Sequence, residues 1–158
     1  TTNKLLEYKE FIKPTILSCD RLMPIENSGK LQKESIENDI IMNYSFNNSS
    51  NDDSFVMAYY NLHEPCLNLE KYNREKTYLE LKLRTEDDIK LNFELKLSNG
   101  NVITKYIEIN NEAKTVKIEL KEIPDNIEQV KEICYTIFKK NNKLRGILEV
   151  GDLRIVTG

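Results

Sequence analysis

The sequence predicts an all-β fold, an antiparallel β-sandwich of the jelly-roll kind, with or without a short N-terminal helix. Three observations predict it. Across residues 77–97, Leu79, Leu81 and Leu83 alternate with Glu80, Lys82 and Arg84. After Glu86-Asp87-Asp88, Ile89, Leu91, Phe93, Leu95 and Leu97 alternate with Lys90, Asn92, Glu94 and Lys96. Successive strand side chains point to opposite faces, so this is the pattern of two strands with one oily and one wet face. Turn-forming clusters recur about every eight to twelve residues, the spacing of sandwiches and barrels. Charged residues make up 31% and hydrophobic residues 39% of the 158-residue chain, a balance in which each sheet keeps a solvated face. The ribbons on either side of Glu86-Asp87-Asp88 are expected to pair as a hairpin whose oily face needs a second layer.

Residues 1–13 carry Leu5, Leu6, Tyr8, Phe11 and Ile12 at helical spacing before Pro14, which disfavours helix in the residue preceding it. They read as a short helix or a linker, and residues 14–158 as a single β-sandwich domain. The first strand material is Ile16-Leu17-Ser18-Cys19, followed by an edge strand over 31–37. Residues 39–46 form a stronger strand, with Ile40, Met42, Tyr44 and Phe46 on one face. In 54–62, Phe55, Met57 and Tyr59 oppose Val56, Ala58 and Tyr60, so both faces are apolar. Such a strand is either central and covered on both sides or presents a tyrosine to a site. Asn99-Gly100 predicts a tight hairpin turn. Residues 102–109, 115–120, 133–138 and 144–156 complete the strands, with a loop or single helical turn over 124–132.

A net charge of −3 with mixed signs gives no basic footprint for nucleic acid or for an anionic membrane surface. No long apolar run predicts direct membrane insertion. The chain begins without Met and carries no signal-peptide pattern, and it reads as a piece of a larger protein. Cys19, Cys66 and Cys134 are an odd number with no close pair, read as three reduced thiols, with one long-range disulfide as the alternative. His63 is the only histidine, which excludes a zinc site of the usual ligand set. It lies three residues from Cys66 in Asn-Leu-His-Glu-Pro-Cys, matches no nucleophile motif, and reads as a loop histidine. Five glycines build no phosphate loop. The chain is therefore expected not to be an enzyme. The Asn-rich tract 46–53 reads as a solvated loop rather than a calcium loop, since it lacks the spacing and glycine of an EF-hand.

The eight tyrosines carry the chemistry that remains. Sugars present C–H patches on ring faces and hydroxyls at the rim, so their binders place aromatic faces beside Asn, Asp, Gln or Arg. Tyr106 lies on the face opposite Ile103, Ile107 and Ile109, and Tyr78 on the face of Glu80, Lys82 and Arg84.

Residues 54–62, Ser-Phe-Val-Met-Ala-Tyr-Tyr-Asn-Leu, resemble part of a galactose-binding-like jelly roll of the noncatalytic carbohydrate-binding modules. So do residues 67–84, where a loop of the type "ln-x-x-kY" precedes a strand ending in Arg84. Residues 91–109 are similar to the family's later hairpin, 115–123 to its "x-I-x-L-x-x-I" strand, and 146–156 to its closing "g-x-i-x-I-d-d-i-x-l" strand. The resemblance implies a glycan- or polysaccharide-binding module of a larger extracytoplasmic or secreted protein, with a cytoplasmic setting left open. In that reading Tyr60, Tyr78 and Tyr106 offer stacking faces and Arg84 binds hydroxyls. It further implies a structural calcium held by Asp152 with Asp20 or Glu26. The chain departs from the family in carrying Gly151 before Asp152 and in lacking Trp. The alternative is a protein-interaction or sensory domain of the same fold, contacting a protein partner or other domains of its parent chain.

Overall fold

A computed structural model describes residues 4–7, 15–19, 29–36, 39–46, 48, 52, 54–62, 66–151 and 153–157. Twelve strands follow one another among these: β1 (Lys4–Glu7), β2 (Thr15–Cys19), β3 (Gly29–Ile36), β4 (Asp39–Phe46), β5 (Phe55–Asn61) and β6 (Thr77–Thr85), then β7 (Asp88–Leu97), β8 (Val102–Asn110), β9 (Ala113–Glu119), β10 (Val130–Phe138), β11 (Arg145–Val150) and β12 (Arg154–Thr157). The described residues add only two 3₁₀ turns, Arg74–Lys76 and Leu120–Glu122. All strand pairs are antiparallel. A five-stranded sheet runs β2-β5-β10-β7-β8, and a seven-stranded sheet runs β1-β12-β6-β11-β4-β3 with β9 on the other edge of β6. The fold is an all-β sandwich.

The alternation works as the sequence predicts. Leu79, Leu81 and Leu83 of β6 and Ile89, Leu91, Phe93, Leu95 and Leu97 of β7 are all buried, while Lys82, Arg84 and Lys90 are exposed. Each buried leucine contributes about 1.5–3 kcal/mol relative to an exposed one.

Their pairing differs from expectation. β6 bonds to β9, β11 and β12 in one sheet, and β7 to β8 and β10 in the other. The pair 79–83 and 89–97 is not a hairpin but a crossing between layers. A three-residue hairpin loop that keeps both apolar sets on one face needs a left-handed residue, usually Gly or Asn. Glu86-Asp87-Asp88 offers neither, and the positive backbone angles among the described residues fall at Gly100, Asn111 and Asn141. Asn111 turns the second crossing, β8 to β9. The two crossings lie side by side, Thr85 N–H donating to Glu112 O at 3.1 Å and Asn111 N–H to Asp87 O at 3.4 Å. Asn99-Gly100, by contrast, forms the expected tight turn between β7 and β8. There Gly100 takes φ +93°, and Leu97 N–H bonds Asn101 O at 2.9 Å.

One further expectation changes, in the closing segment, and the N-terminal stretch is described only in part. Within the stretch read as short helix or linker, Lys4–Glu7 is extended and pairs with β12; the remaining residues up to 14 lie outside the described set. The closing segment 144–156 is two strands, β11 and β12, which lie end to end against β6. Their junction is pinned by Gly151 N–H to Lys82 O at 2.8 Å. Within β11, Gly146 packs under buried Tyr44, and a Cβ there would overlap the tyrosine ring.

Opposite the crossings, the loop before β6 is clamped to the loop before β10. The Arg74 guanidinium donates to both Glu70 carboxylate oxygens and to the carbonyls of Ile123 and Asp125. Glu70 in turn accepts from Ile127 N–H at 3.1 Å. The hydrogen bond from Arg74 holds the Glu70 carboxyl below its ordinary value of 4.5. A carboxyl depressed in the folded state adds stability that is present above its unfolded value and is lost as pH falls through the folded one. Arg74→Ala is expected to cost about 1–3 kcal/mol, since two part-buried carbonyls and Glu70 lose a charged donor. In thermal melts the gap between wild type and Glu70→Gln should be widest near neutrality and close as pH falls below 4.5. A gap independent of pH would remove the clamp from the account.

Candidate binding cleft

The outer face of the five-stranded sheet carries the site. Backbone register sets its rows: Tyr106 of β8 faces Asn92 of β7, which faces Thr136 of β10, which faces Met57 of β5. In the next row Thr104, Glu94, Cys134 and Tyr59 follow the same order. Thr136 Oγ1 donates to Glu94 Oε1 at 2.7 Å, tying the two rows.

A cleft of about 720 Å³ opens at the end of this face where β7 begins and β10 ends. Its size falls in the roughly 300–1,000 Å³ range of small-ligand sites. β7 supplies the floor with Lys90 and Asn92, and β8 the first flank with Tyr106 and Glu108. Phe138 and the turn after β10 form the second flank, with Asp52 beyond it. β10, β7 and β8 are neighbours in the sheet, so the two flanks stand roughly 10 Å apart with the trough between them over β7.

Tyr106 is 81% exposed. A tyrosine on an edge strand normally lays its ring against a neighbour; this one stands in solvent at the side of the cleft. Phe138 is half-buried, its ring packed against Phe55 at 5.9 Å between centroids. Lys90 Nζ lies 3.9 Å from Glu108 Oε1, with both side chains more than half exposed. Such a pair is worth about 0–1 kcal/mol, so it can open to bond a ligand at little cost. The second flank is anchored through Lys139 N–H to Ser54 O at 2.8 Å and Lys140 N–H to Asp52 O at 3.1 Å. The arrangement brings aromatic side chains, amides and charges of both signs together around one cleft.

The structure separates the four residues expected to bind a ligand. Only Tyr106 lies in the cleft. Tyr60 is 3% exposed and faces inward, edge-on to Tyr135 at 6.1 Å, so neither outer face offers it to a ligand. Tyr78 and Arg84 stand on the outer face of the seven-stranded sheet, across the sandwich from Tyr106. Lys117 Nζ sits 4.9 Å over the Tyr78 ring, and exposed Arg84 borders a shallow groove of about 280 Å³ with Lys82 and Glu149. The six residues from Tyr78 to Arg84 put them roughly 20 Å apart along β6.

The expected calcium ligands Asp152, Asp20 and Glu26, and also His63, lie outside the described residues. Among the described residues no group of three or more His, Cys, Asp or Glu is gathered for a metal. Cys134 is a buried free thiol. Burial pushes the Cys134 thiol up to about 12, which keeps it protonated and unreactive. No helix among the described residues is long and apolar enough to cross a membrane.

Sequence reasoning missed Lys90, Asn92, Glu108 and Phe138. The first three sit on the wet face that the alternation already marked. Phe138 had a signal of its own: Ile133, Tyr135 and Ile137 face the core, so an aromatic at the next position must face out.

No protein-family model matches the chain, and no curated protein matches it in sequence. Solved structures do match its fold. A family 11 carbohydrate-binding module from Clostridium thermocellum, solved in complex with a β-1,3-1,4-mixed-linked tetrasaccharide, is 14% identical. That match covers 99% of this chain and 95% of the module, at a TM-score of 0.63. The family 30 carbohydrate-binding module of the cellulosomal cellulase Cel9D-Cel44B of Clostridium thermocellum is 14% identical, covering 92% of this chain and 93% of the module, at a TM-score of 0.54. The agarase AgWH50C is 8% identical over 98% of this chain but only 24% of that enzyme, at a TM-score of 0.67. At these identities the likeness is one of fold: the chain is a jelly-roll β-sandwich of the kind seen in carbohydrate-binding modules.

Proposed function

We propose that this domain is a noncatalytic glycan-binding module that takes a short run of a linear saccharide in the cleft on its five-stranded sheet. The observation that carries the reading is Tyr106, an aromatic 81% exposed on a trough whose floor holds Asn92 and Lys90. Its ring would stack on the C–H face of a sugar, while the amide and the Lys90–Glu108 pair bond hydroxyls at the rim. A trough open between two flanks suits a chain lying along it better than a single terminal sugar. The fold shared with carbohydrate-binding modules supports the same reading, as does the mixed-linked tetrasaccharide bound to the family 11 module. Such a module would serve a larger protein outside the cytoplasm, delivering it to a polysaccharide.

A glycan array probed with the full chain tests the reading. Binding confined to one class of linear glucan or galactan is the expected result, followed by titration of the soluble oligosaccharide. A blank array, with no heat from mixed-linked or agarose-derived oligosaccharides, would overturn it.

A further inference from the structure

The β7–β10 ladder stops at Asn92↔Thr136. Continued two residues further, the same register would place Lys90 opposite Phe138, and both residues line the cleft. That rung is filled by a side chain. Lys90 N–H donates to Asn142 Oδ1 at 2.9 Å, and Asn142 Nδ2 donates to Lys90 O at 3.0 Å and to Phe138 O at 2.8 Å. A carboxamide carries the donor and acceptor of a peptide group, so β7 pairs with it as with a neighbouring strand. The strand it replaces is held off by the width of the side chain. Here the sheet surface gives way to the cleft.

The turn is built to deliver this amide. Asn141 takes φ +67°, a left-handed conformation that Asn tolerates well, and reverses the chain after Lys140. Asn142 N–H then closes onto Lys139 O at 3.2 Å.

We infer that Asn142 is the positioning residue of the cleft: its carboxamide wedges the start of β7 from the end of β10 and fixes the distance between the Tyr106 flank and the Phe138 flank. The inference rests on the glycan reading, in which a ligand must touch both flanks at once. Asp at this position keeps the acceptor but loses both donations and sets a carboxylate against two carbonyls. Ala loses all three bonds.

The test compares wild type, Asn142→Ala and Asn142→Asp by calorimetric titration with the mixed-linked tetrasaccharide and with an agarose-derived oligosaccharide. Amide hydrogen exchange at Lys90 is measured on the same proteins. Both variants are expected to bind at least about tenfold more weakly, and Asn142→Ala to exchange the Lys90 amide faster while β5 stays protected. Arg74→Ala, in the clamp at the opposite end of the sandwich from the cleft, controls for general loss of stability and should keep wild-type affinity. Asn142→Ala binding like wild type would overturn the inference while leaving the glycan reading intact. So would an equal loss of affinity in Arg74→Ala, since the effect would then be global. A wild-type chain silent toward both saccharides is a separate failure. It removes the glycan reading and the inference together.

Discussion

Tyr106→Ala is expected to weaken glycan binding by about 30-fold or more while the melting temperature stays within a few degrees of wild type. The first half follows from where aromatic side chains contribute to recognition. Rings at the centre of a contact commonly cost about 2 kcal/mol or more on truncation, and 1.4 kcal/mol is already tenfold. The second half follows from exposure. Tyr106 is 81% exposed on edge strand β8, so removing its ring opens no cavity and strands no buried polar group. Tyr106→Phe should retain most of the affinity, because stacking uses the ring face rather than the hydroxyl. Tyr78→Ala, on the opposite outer face, should leave binding unchanged. The reverse ranking would move the site to the seven-stranded sheet, where Arg84 and the smaller groove lie.

Tyr106 was legible because its strand has a clear parity. Ile103, Ile107 and Ile109 share one face, so Tyr106 must take the other. Tyr60 was not, because β5 is apolar on both faces. Nothing within Phe55–Asn61 says whether Val56, Ala58 and Tyr60 or Phe55, Met57 and Tyr59 meet the core. The partner decides it: Tyr60 sits opposite Ile133 and Ala58 opposite Tyr135 on β10, and these face inward. Tyr78 and Arg84 were read onto an outer face correctly, but alternation is silent about which of two sheets a strand joins. Assigning β6 and β7 to one hairpin implied a single outer face for their neighbours, and the crossing at Glu86-Asp87 removes it.

The cleft was beyond local pattern for a different reason. Its shape depends on a side chain, Asn142, filling a rung beside Lys90, 52 residues earlier in the chain. Periodicity reports which face a residue takes within its own strand. It carries no information about where a ladder ends or what replaces the missing rung. Asn141-Asn142 does mark a turn by residue type. Only the assembled sheet shows that this turn reaches back to the start of β7.

Leu81→Asp is expected to unfold the domain at neutral pH, and Lys82→Asp, one residue on, to leave it folded. Leu81 has no solvent exposure and faces Val116 of β9 across the ladder. Its replacement loses about 1.5–3 kcal/mol of apolar burial and places a carboxylate in the core without a partner, at a further cost of several kcal/mol. Domains of this size have roughly 5–15 kcal/mol in total, so the sum reaches or exceeds what is there. Lys82 is exposed on the other face of the same strand, where a change of charge usually shifts stability by no more than about 0.5 kcal/mol. The adjacent pair makes the experiment a test of register, because a slip of one residue exchanges the two faces and reverses the outcome. Circular dichroism at 25 °C and thermal melts read both variants. A cooperative melt near the wild-type temperature for Leu81→Asp would mean that β6 does not bury this face, and the partition of its neighbours between the two sheets would fail with it.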